Sequence, residues 1–474
     1  MRKTKIESVI QQIRDQISNQ TLIAGTRLPS VRQYAVQQGF SVSTIVEAYA
    51  RLVAEGLIES RMGAGYYVLS PQKAQKLEWV NHQTYQREVD PLWISRQALD
   101  AQAEVLKPGC GWLPDSWLPE KLIRKALKLA SQSETSLLTE YATPYGHLPL
   151  RQWLGRKKQF TDIALNLNQI LITDSATQSI DLIFRLLLKP GDIILIDDPC
   201  YFNFQALIQA HHLKAIAIPM TIYGPDLKQF ERALDLKPKI YLTNSGIHNP
   251  TGVSLALQHV YQIAKMAEQA DMLIIEDEIF ADFELNPTPR YASLVGFNHV
   301  IQIGSFSKTL SGAIRCGFII ANEKMVDRIV DLRIATSFSH SQLNAEIIYQ
   351  VLKDPLYAKY LDHLRNKLLL ATKQTQARLQ ILDIQPWVIP KAGIFLWCQL
   401  PQDIDAAALS KYCVEQGLIL APGPSFSSAQ YAQHFMRFNV AQCINERVFS
   451  LLEQAMRYLR GHENISSNTS KPTK

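Results

Sequence analysis

The sequence predicts an α/β protein built from a small helical module, a polar linker and one large domain. Three observations carry that reading. From about residue 105 to 460, short β-rich runs alternate with longer helical ones, the texture of strands interleaved with helices. The first 69 residues are compact, with helical periodicity followed by a short strand pair punctuated by glycines. Between them, SPQKAQKLEWVNHQTYQREVDPL is polar and Gln-rich with no sustained apolar period, which reads as a linker with one short helix. The expected boundaries are 1–69, a linker over 70–104, the large domain over 105–460 and a polar, frayed tail over 461–474.

Composition narrows the classes. A chain of 474 residues exceeds the ~250–300 at which a single core stops growing. Its 47% hydrophobic content excludes a disordered chain. No run approaches the ~18–20 apolar residues needed to cross a bilayer. The start, MRKTKIESVI, is basic but has no apolar stretch behind it, so no secretory signal is visible. Six scattered cysteines, with no CxxC and no close histidines, point to reduced thiols in a cytoplasmic protein and to no metal site. A net charge of +6 is mild and permits an anionic partner without demanding one.

In the small module, Ile6, Val9, Ile10, Ile13 and Ile17 recur at spacings of three and four and give a helix one apolar face. After the loop IAGTRLPS, Pro29 and Ser30 open a second helix that Gly39 stops. Ser41 or Ser43 caps a third helix, which runs to Gly56. Leu57 to Ser60 and Tyr66 to Val68 read as strands around a turn that Gly63 and Gly65 allow. Three helices and a hairpin make a winged helix-turn-helix, whose third helix enters the major groove of double-stranded DNA. Arg32, Ser43, Thr44 and Arg61 are the candidate contacts, since hydroxyls at a helix start suit phosphates or base edges and arginines suit phosphates and guanine. A small docking domain with solvated arginines would share this outline. The stretch GTRLPSVRQYAVQQGFSVSTIVEAYARLVAEGLIESRMGAGYYV resembles the GntR-type DNA-binding domain along nearly its whole length, in its LPSVR segment, its S-x-S-T-I helix start, its Y-x-R-L-x-x-E-G-L-I run and its R-x-G-x-G wing.

In the large domain, ILITDSATQSIDLIF is a strand, a polar turn and a helix, so Ser175, Ala176 and Thr177 offer hydroxyls and N–H groups at a helix N-terminus, either a phosphate cradle or an ordinary cap. IILIDDPCYFNF ends a strand with Tyr201, which can stack on an aromatic ring or pack in the core. IYLTNSGIHNPTG puts Asn249 beyond a strand, before a Pro-Thr-Gly turn. LIIEDEIFADF delivers Glu276, Asp277 and Glu278 at a strand's carboxyl end, where open α/β sheets bind ligands; the alternative is three solvated acids. In VIQIGSFSKTLSGAIRCGFIIA a strand over Val300 to Ile303 leads to Lys308, with Ser305, Ser307 and Arg315 at hand to hold an anion. A lysine that reacts with a carbonyl must lose its proton, so it needs a desolvated site near another cation.

Five such pieces, in this order and each at a strand end, resemble the fold-type-I pyridoxal-phosphate domain of aspartate-aminotransferase-like proteins, from about Gly109 to Val440. GWLPDSWLP, YATPYGHLPLRQWL and FMRFNVA belong to the match. The resemblance implies a mostly parallel central sheet with a smaller α+β subdomain. It implies that Lys308 forms the internal aldimine with pyridoxal 5'-phosphate (PLP), that Asp277 pairs with the pyridine nitrogen, that Asn249 faces the ring oxygen and that Tyr201 stacks on the ring. Ser175, Ala176, Thr177, Ser305 and Arg315 would hold the phosphate, Tyr141 would reach it from a partner subunit, and Arg437 would receive an amino acid's α-carboxylate.

Two departures matter. Where the family often has a tyrosine two or three residues after the aspartate, this chain has Ile279 and Phe280, neither able to bond the ring oxygen. That puts transamination in doubt more than cofactor binding. Where some relatives carry an arginine two residues after the stacking tyrosine, this chain has Asn203, so a second ligand carboxylate is not indicated. A GntR-type winged helix joined to an aminotransferase-like domain resembles the MocR subfamily of bacterial transcriptional regulators. That resemblance implies a homodimer that binds a DNA operator and senses PLP or an amino compound. The rival expectation is a working aminotransferase that carries a DNA-binding domain.

Overall fold

The computed structural model describes residues 4–69, 92–157 and 165–468, with the side chains of 462–468 left aside. It divides into two compact units, Met1–Arg87 and Glu88–Lys474. The expected short helix and most of the expected linker, 70–91, lie outside the described residues, as does the end of the tail, 469–474.

The small unit holds helices α1 (Lys5–Ser18), α2 (Val31–Gln38) and α3 (Val42–Ala54) and a hairpin of β1 (Ile58–Arg61) and β2 (Gly65–Val68). Its boundaries follow from local chemistry. Thr4 and Glu7 cap α1 reciprocally, and Ser30 and Gln33 do the same for α2. Gly39 ends α2 at φ 67°, a conformation open to glycine at little cost. Of the two serines available to α3 it is Ser41 that caps, accepting from the Thr44 amide at 3.3 Å. Val9, Ile13, Ile45, Tyr49 and Leu52 close the core. One strand-like contact escaped the sequence: Arg27, in the expected loop, bridges Tyr67 and adds a third edge to the wing.

The large unit is built on an eight-stranded sheet in the order β3-β10-β9-β8-β7-β4-β5-β6. The strands are β3 (Ile170–Thr173), β4 (Ile193–Asp198), β5 (Lys214–Thr221), β6 (Gly224–Pro225), β7 (Ile240–Thr243), β8 (Leu273–Asp277), β9 (Val300–Ser305) and β10 (Gly317–Ile320). Pairings among β5, β4, β7, β8 and β9 are parallel, while β10 runs against both β9 and β3. The strands β3, β4, β7 and β8 begin with apolar runs buried on both sides, as expected where helices cover both faces. Alternate residues go to opposite layers: Tyr241 and Ile274 pack in one cluster, Leu242 and Ile275 in the other. The carboxyl ends of β3, β4, β7, β8 and β9 therefore open on one edge, where the expected site residues lie.

A smaller antiparallel sheet of β11 (Gln385–Pro386), β12 (Phe395–Gln399), β13 (Ala421–Pro422) and β14 (Phe435–Asn439) packs with the helices Pro355–Ile381, Ala406–Glu415 and Glu446–Asn468. This is the expected α+β subdomain. Two segments differ from the sequence reading. Residues 93–100, expected in the linker, form a helix that buries Trp93 and Ile94 against Phe202, Trp397 and Phe426. An amphipathic helix of eight residues is marginal alone and owes its order to that apolar bed. The last helix continues to Asn468, beyond the expected start of the tail at 461, because propagating a formed helix costs little per residue.

Candidate functional site

A cleft opens at the convergent strand ends. It gathers most of the residues expected from the sequence: Ser175, Ala176, Thr177, Tyr201, Asn249, Asp277, Ser305, Lys308 and Arg315. Each arrives for a local reason. Ser175 caps the helix Ala176–Leu187, accepting from the Gln178 amide at 3.0 Å, so the first-turn N–H groups at 176 and 177 fall outside the helix's own bonding and face the cleft. Tyr201 precedes the helix Phe202–Ala210, wedged edge-on to Phe204. Asp277 is the last residue of β8, and Lys308 follows the end of β9 by three residues.

The three consecutive acids have three fates. Glu276 is fully buried and accepts from Gln302 Nε2 at 2.9 Å and from the Tyr291 amide at 2.9 Å. Glu278 is bound by Arg290 Nε at 2.6 Å and by the Ser245 hydroxyl at 2.7 Å. Both stitch the core, and neither is solvated. Only Asp277 reaches the cleft, where its Oδ1 accepts from the Ile279 amide at 3.1 Å.

The electrostatics are those of a site short of charge partners. Burial pushes the Asp277 carboxyl up to about 7 against the smaller opposing pull of the Ile279 amide, Asn244 and Lys308. Burial, reinforced by the charge of Arg437, brings the Lys308 ammonium down to about 8. The Lys308 Nζ donates to the Gly111 carbonyl at 2.6 Å and lies 5.8 Å from the centre of the Phe280 ring. Arg437, on β14, is 1% exposed, and burial lowers it to about 10. It donates to Asn249 Oδ1 at 2.8 Å and to the Gly109 carbonyl at 2.7 Å, between the faces of Phe395 and Phe426. Its Nε has no hydrogen-bond partner, and no carboxylate pairs with it among the described residues. Arg315 stands exposed at the mouth of the cleft, also without a carboxylate partner among those residues.

Tyr141 is not part of this cleft. It is 76% exposed and meets Phe338 edge-on at 4.7 Å. Asn203 turns to Thr177, its Nδ2 3.4 Å from the hydroxyl. Sequence reasoning missed two residues here. Asn244 lines the cleft just beyond β7, with a buried Oδ1 that has no partner among the described residues; the strand-end rule that found Asn249 applied to it equally. Gly111 contributes only a carbonyl, which leaves no signal in residue type.

In the small unit, Arg32 is exposed and takes part in no ion pair among the described residues. Ser43 is exposed and Thr44 half-buried, and both hydroxyls lie within 3.0 Å of the Ser41 hydroxyl. Arg61 is held by Glu59 at 2.6 Å and lies over the Tyr67 ring at 4.4 Å.

The family model of aminotransferase class I and II matches residues 114–454, and that of bacterial regulatory proteins, gntR family, matches residues 5–68. The HTH-type transcriptional regulator YdcR of Escherichia coli (strain K12) is 28% identical over 467 residues, covering 96% of this chain and 98% of its own. The HTH-type transcriptional regulator NorG of Staphylococcus aureus (strain USA300) is 27% identical over 449 residues, covering 92% and 99%. Among solved structures, LysN, an α-aminoadipate aminotransferase from Thermus thermophilus complexed with N-(5'-phosphopyridoxyl)-L-leucine, matches with a TM-score of 0.70 and 21% identity, over 78% of this chain and 95% of that one. The kynurenine aminotransferase of Pyrococcus horikoshii gives 0.68 and 20%, over 77% and 96%. At these identities the two enzymes establish the fold of the large unit.

Proposed function

We propose, on the premise that this chain belongs to the class I and II aminotransferase family, that it is a PLP-dependent DNA-binding transcriptional regulator. A GntR-family module ahead of an aminotransferase domain is the MocR arrangement, and proteins similar to this chain over nearly its whole length are named transcriptional regulators. The observation that carries the sensing half is Arg437. A guanidinium in an apolar bed, with no carboxylate partner among the described residues, is costly unless something anionic completes it.

The donor set fits PLP. The amides at 176 and 177, the hydroxyls of Ser175, Thr177 and Ser305, and Arg315 make a cradle for a phosphate dianion. Asp277, whose ionised form burial disfavours, would have that charge balanced by a protonated ring nitrogen. Asn249, whose Oδ1 is taken by Arg437, has its amide hydrogens left for the ring oxygen, and Tyr201 offers its ring. Bound there, PLP supplies an aldehyde that condenses with amines and a ring that draws electrons from them.

The chain's own residues then do the following. Lys308, brought down to about 8, is in part a neutral amine near neutral pH, the form that attacks a carbonyl. Arg437 takes the carboxylate of an amino compound, and Phe395 and Phe426 keep water from that contact. Ile279 and Phe280 give the ring oxygen no hydroxyl, which favours holding a ligand over turning it over. Tyr141, exposed on its own subunit, would reach the phosphate of a partner in a homodimer. Two DNA-binding modules per dimer gain avidity on paired half-sites, and an effector acts by binding two conformations unequally. The test is titration with PLP and then a panel of amino acids, following absorbance and DNA affinity together. Ligand-dependent DNA affinity without keto acid release supports the proposal. Steady keto acid release over many cycles, with DNA affinity unmoved, would replace the regulator with a transaminase, a reading that Lys308, Asp277 and Asn249 in one cleft, with Arg437 bonded to Asn249 behind it, also support.

A further inference from the structure

Along segment 109–112 every carbonyl is taken by a side chain of the site or its support. Gly109 accepts from Arg437 Nη2 at 2.7 Å, Cys110 from Asn439 Nδ2 at 2.8 Å, Gly111 from Lys308 Nζ at 2.6 Å, and Trp112 from Asn439 Nδ2 at 2.8 Å. No helix or strand holds these four oxygens, so the segment's path is set by the side chains that bond to them. Its start is fixed more rigidly. The Gly109 amide donates to the Ile419 carbonyl at 2.8 Å, and a Cβ on Gly109 would stand 2.4 Å from the Leu420 carbonyl carbon, so only glycine lets the two backbones lie this close.

Upstream, the same chain forms the helix Trp93–Asp100. Trp93 and Ile94 pack in one cluster with Phe202 and Phe426, and these rings face the Arg437 guanidinium at 5.9 and 4.7 Å. The stretch 93–112 thus meets the ligand-binding apparatus twice, through a carbonyl strap at one end and an aromatic bed at the other.

We propose that segment 109–112 is a positioning strap that distinguishes a free Lys308 amine from an engaged one and passes the difference to the helix Trp93–Asp100, the first described element after the DNA-binding unit. This rests on the reading above that Lys308 carries PLP. When a neutral lysine amine condenses with an aldehyde, both its hydrogens leave with the carbonyl oxygen as water, and the nitrogen keeps the single carbon partner it has gained. A proton taken up afterwards would be shared with an oxygen of the cofactor and not with Gly111. Gly111 thereby loses its donor. When an incoming amine takes the carbonyl over, its two hydrogens pass to the lysine nitrogen, and the primary amine so restored can donate to Gly111 again. Two arrangements follow: one for the cofactor-free and ligand-bound protein, another for the protein with cofactor alone.

The experiment is backbone hydrogen exchange over 93–113 in the full chain, followed by mass spectrometry in three states: cofactor-free, loaded with PLP, and loaded and then treated with aminooxyacetate, which takes the carbonyl from the lysine. Exchange should be slow, then at least ~5-fold faster, then slow again, the reverse of the general protection that ligand binding confers. Lys308→Met, which keeps the bulk and removes the amine, should exchange fast without any cofactor. Asn439→Ser keeps a hydroxyl to accept from the Ala441 amide but removes the donor to Cys110 and the shorter of two to Trp112, which retains Gln442 Nε2 at 3.2 Å, and should exchange faster than the parent in every state. Equal exchange in the parent protein and Lys308→Met would overturn the strap, as would an aminooxyacetate state that matches the PLP-loaded one. Absorbance of the same samples keeps the two proposals apart: no uptake of PLP refutes the function, while the Lys308→Met comparison still decides the strap.

Discussion

The two units use arginine in opposite ways. In the small unit Arg14, Arg51 and Arg61 are each about half-exposed and each lie 2.6–2.8 Å from a glutamate. In the large unit Arg437 is sealed between phenylalanine rings and, among the described residues, donates only to an amide oxygen and a backbone carbonyl. Exposed pairs of the first kind contribute ~0–1 kcal/mol, so a DNA phosphate can replace the glutamate at small cost. A buried guanidinium without a counter-charge among the described residues is a different matter, because nothing there compensates its desolvation. The first arrangement suits contacts that form and break along a polymer, the second suits one anionic group of fixed geometry.

The sharpest way to break this division is at the buried end. Lys308→Ala should abolish the absorption band that PLP acquires on attachment, with no residual fraction, while the full chain still binds DNA. A borohydride-reducible adduct at another lysine would move the site elsewhere.

How much of this was legible beforehand varies with what the signal depends on. Caps and turns at Ser30, Gly39 and Gly56 are local chemistry, and the structure places them within a residue of the reading. Strand ends carry chemistry by rule, so Asn249, Asp277 and Lys308 could be picked out and then found in one cleft. Residue type alone could not separate Asp277 from Glu276 and Glu278, because which way an acid points depends on partners such as Arg290 and Gln302, drawn from elsewhere in the chain. The strap carbonyls and the helix Trp93–Asp100 were out of reach for a related reason: backbone oxygens have no letter, and that helix owes its order to an apolar bed supplied by residues more than a hundred positions away.

Asp277 tests the electrostatics of the buried site. A carboxyl raised to about 7 holds its proton more tightly in the folded chain than in the unfolded one, where it titrates near 4. Its contribution to stability is therefore fully present below pH ~4 and is lost as the pH rises through 7. Asp277→Asn removes that loss. Without cofactor the variant should be more stable than the parent at pH 8 by on the order of 2–4 kcal/mol, with no difference at pH 4, read by urea unfolding. With PLP the order should reverse, since an asparagine cannot balance a protonated ring nitrogen. A parent protein whose stability is flat from pH 4 to 8 would contradict the burial of this acid.

Arg437→Met addresses the carboxylate directly. Hydrogen bonds to charged groups contribute ~1.5–3 kcal/mol, so affinity for an amino acid should fall roughly 10–100-fold while affinity for the matching decarboxylated amine changes little. An equal loss for both would show that the arginine shapes the cleft without reading the carboxylate.

The smallest effects belong to the exposed arginines, and there the structure ranks two residues that the sequence treated alike. Arg32 has no ion-pair partner among the described residues, so Arg32→Ala should weaken DNA binding a few-fold and reduce the salt dependence by about one phosphate, ~0.9 in slope. Arg61 must first leave Glu59, which holds it through both Nε and Nη2, and it gives up its place over Tyr67 as well. Arg61→Ala should therefore matter less than Arg32→Ala. If that pairing is what restrains it, Glu59→Gln, which keeps the shape and removes the charge, should raise DNA affinity and steepen the salt slope by freeing Arg61 for a phosphate. If Glu59→Gln leaves both unchanged while Arg61→Ala still weakens binding, then Arg61 works through its stack on Tyr67, by stiffening the wing, and the contrast between exchangeable surface charge and committed buried charge would hold for Arg32 alone.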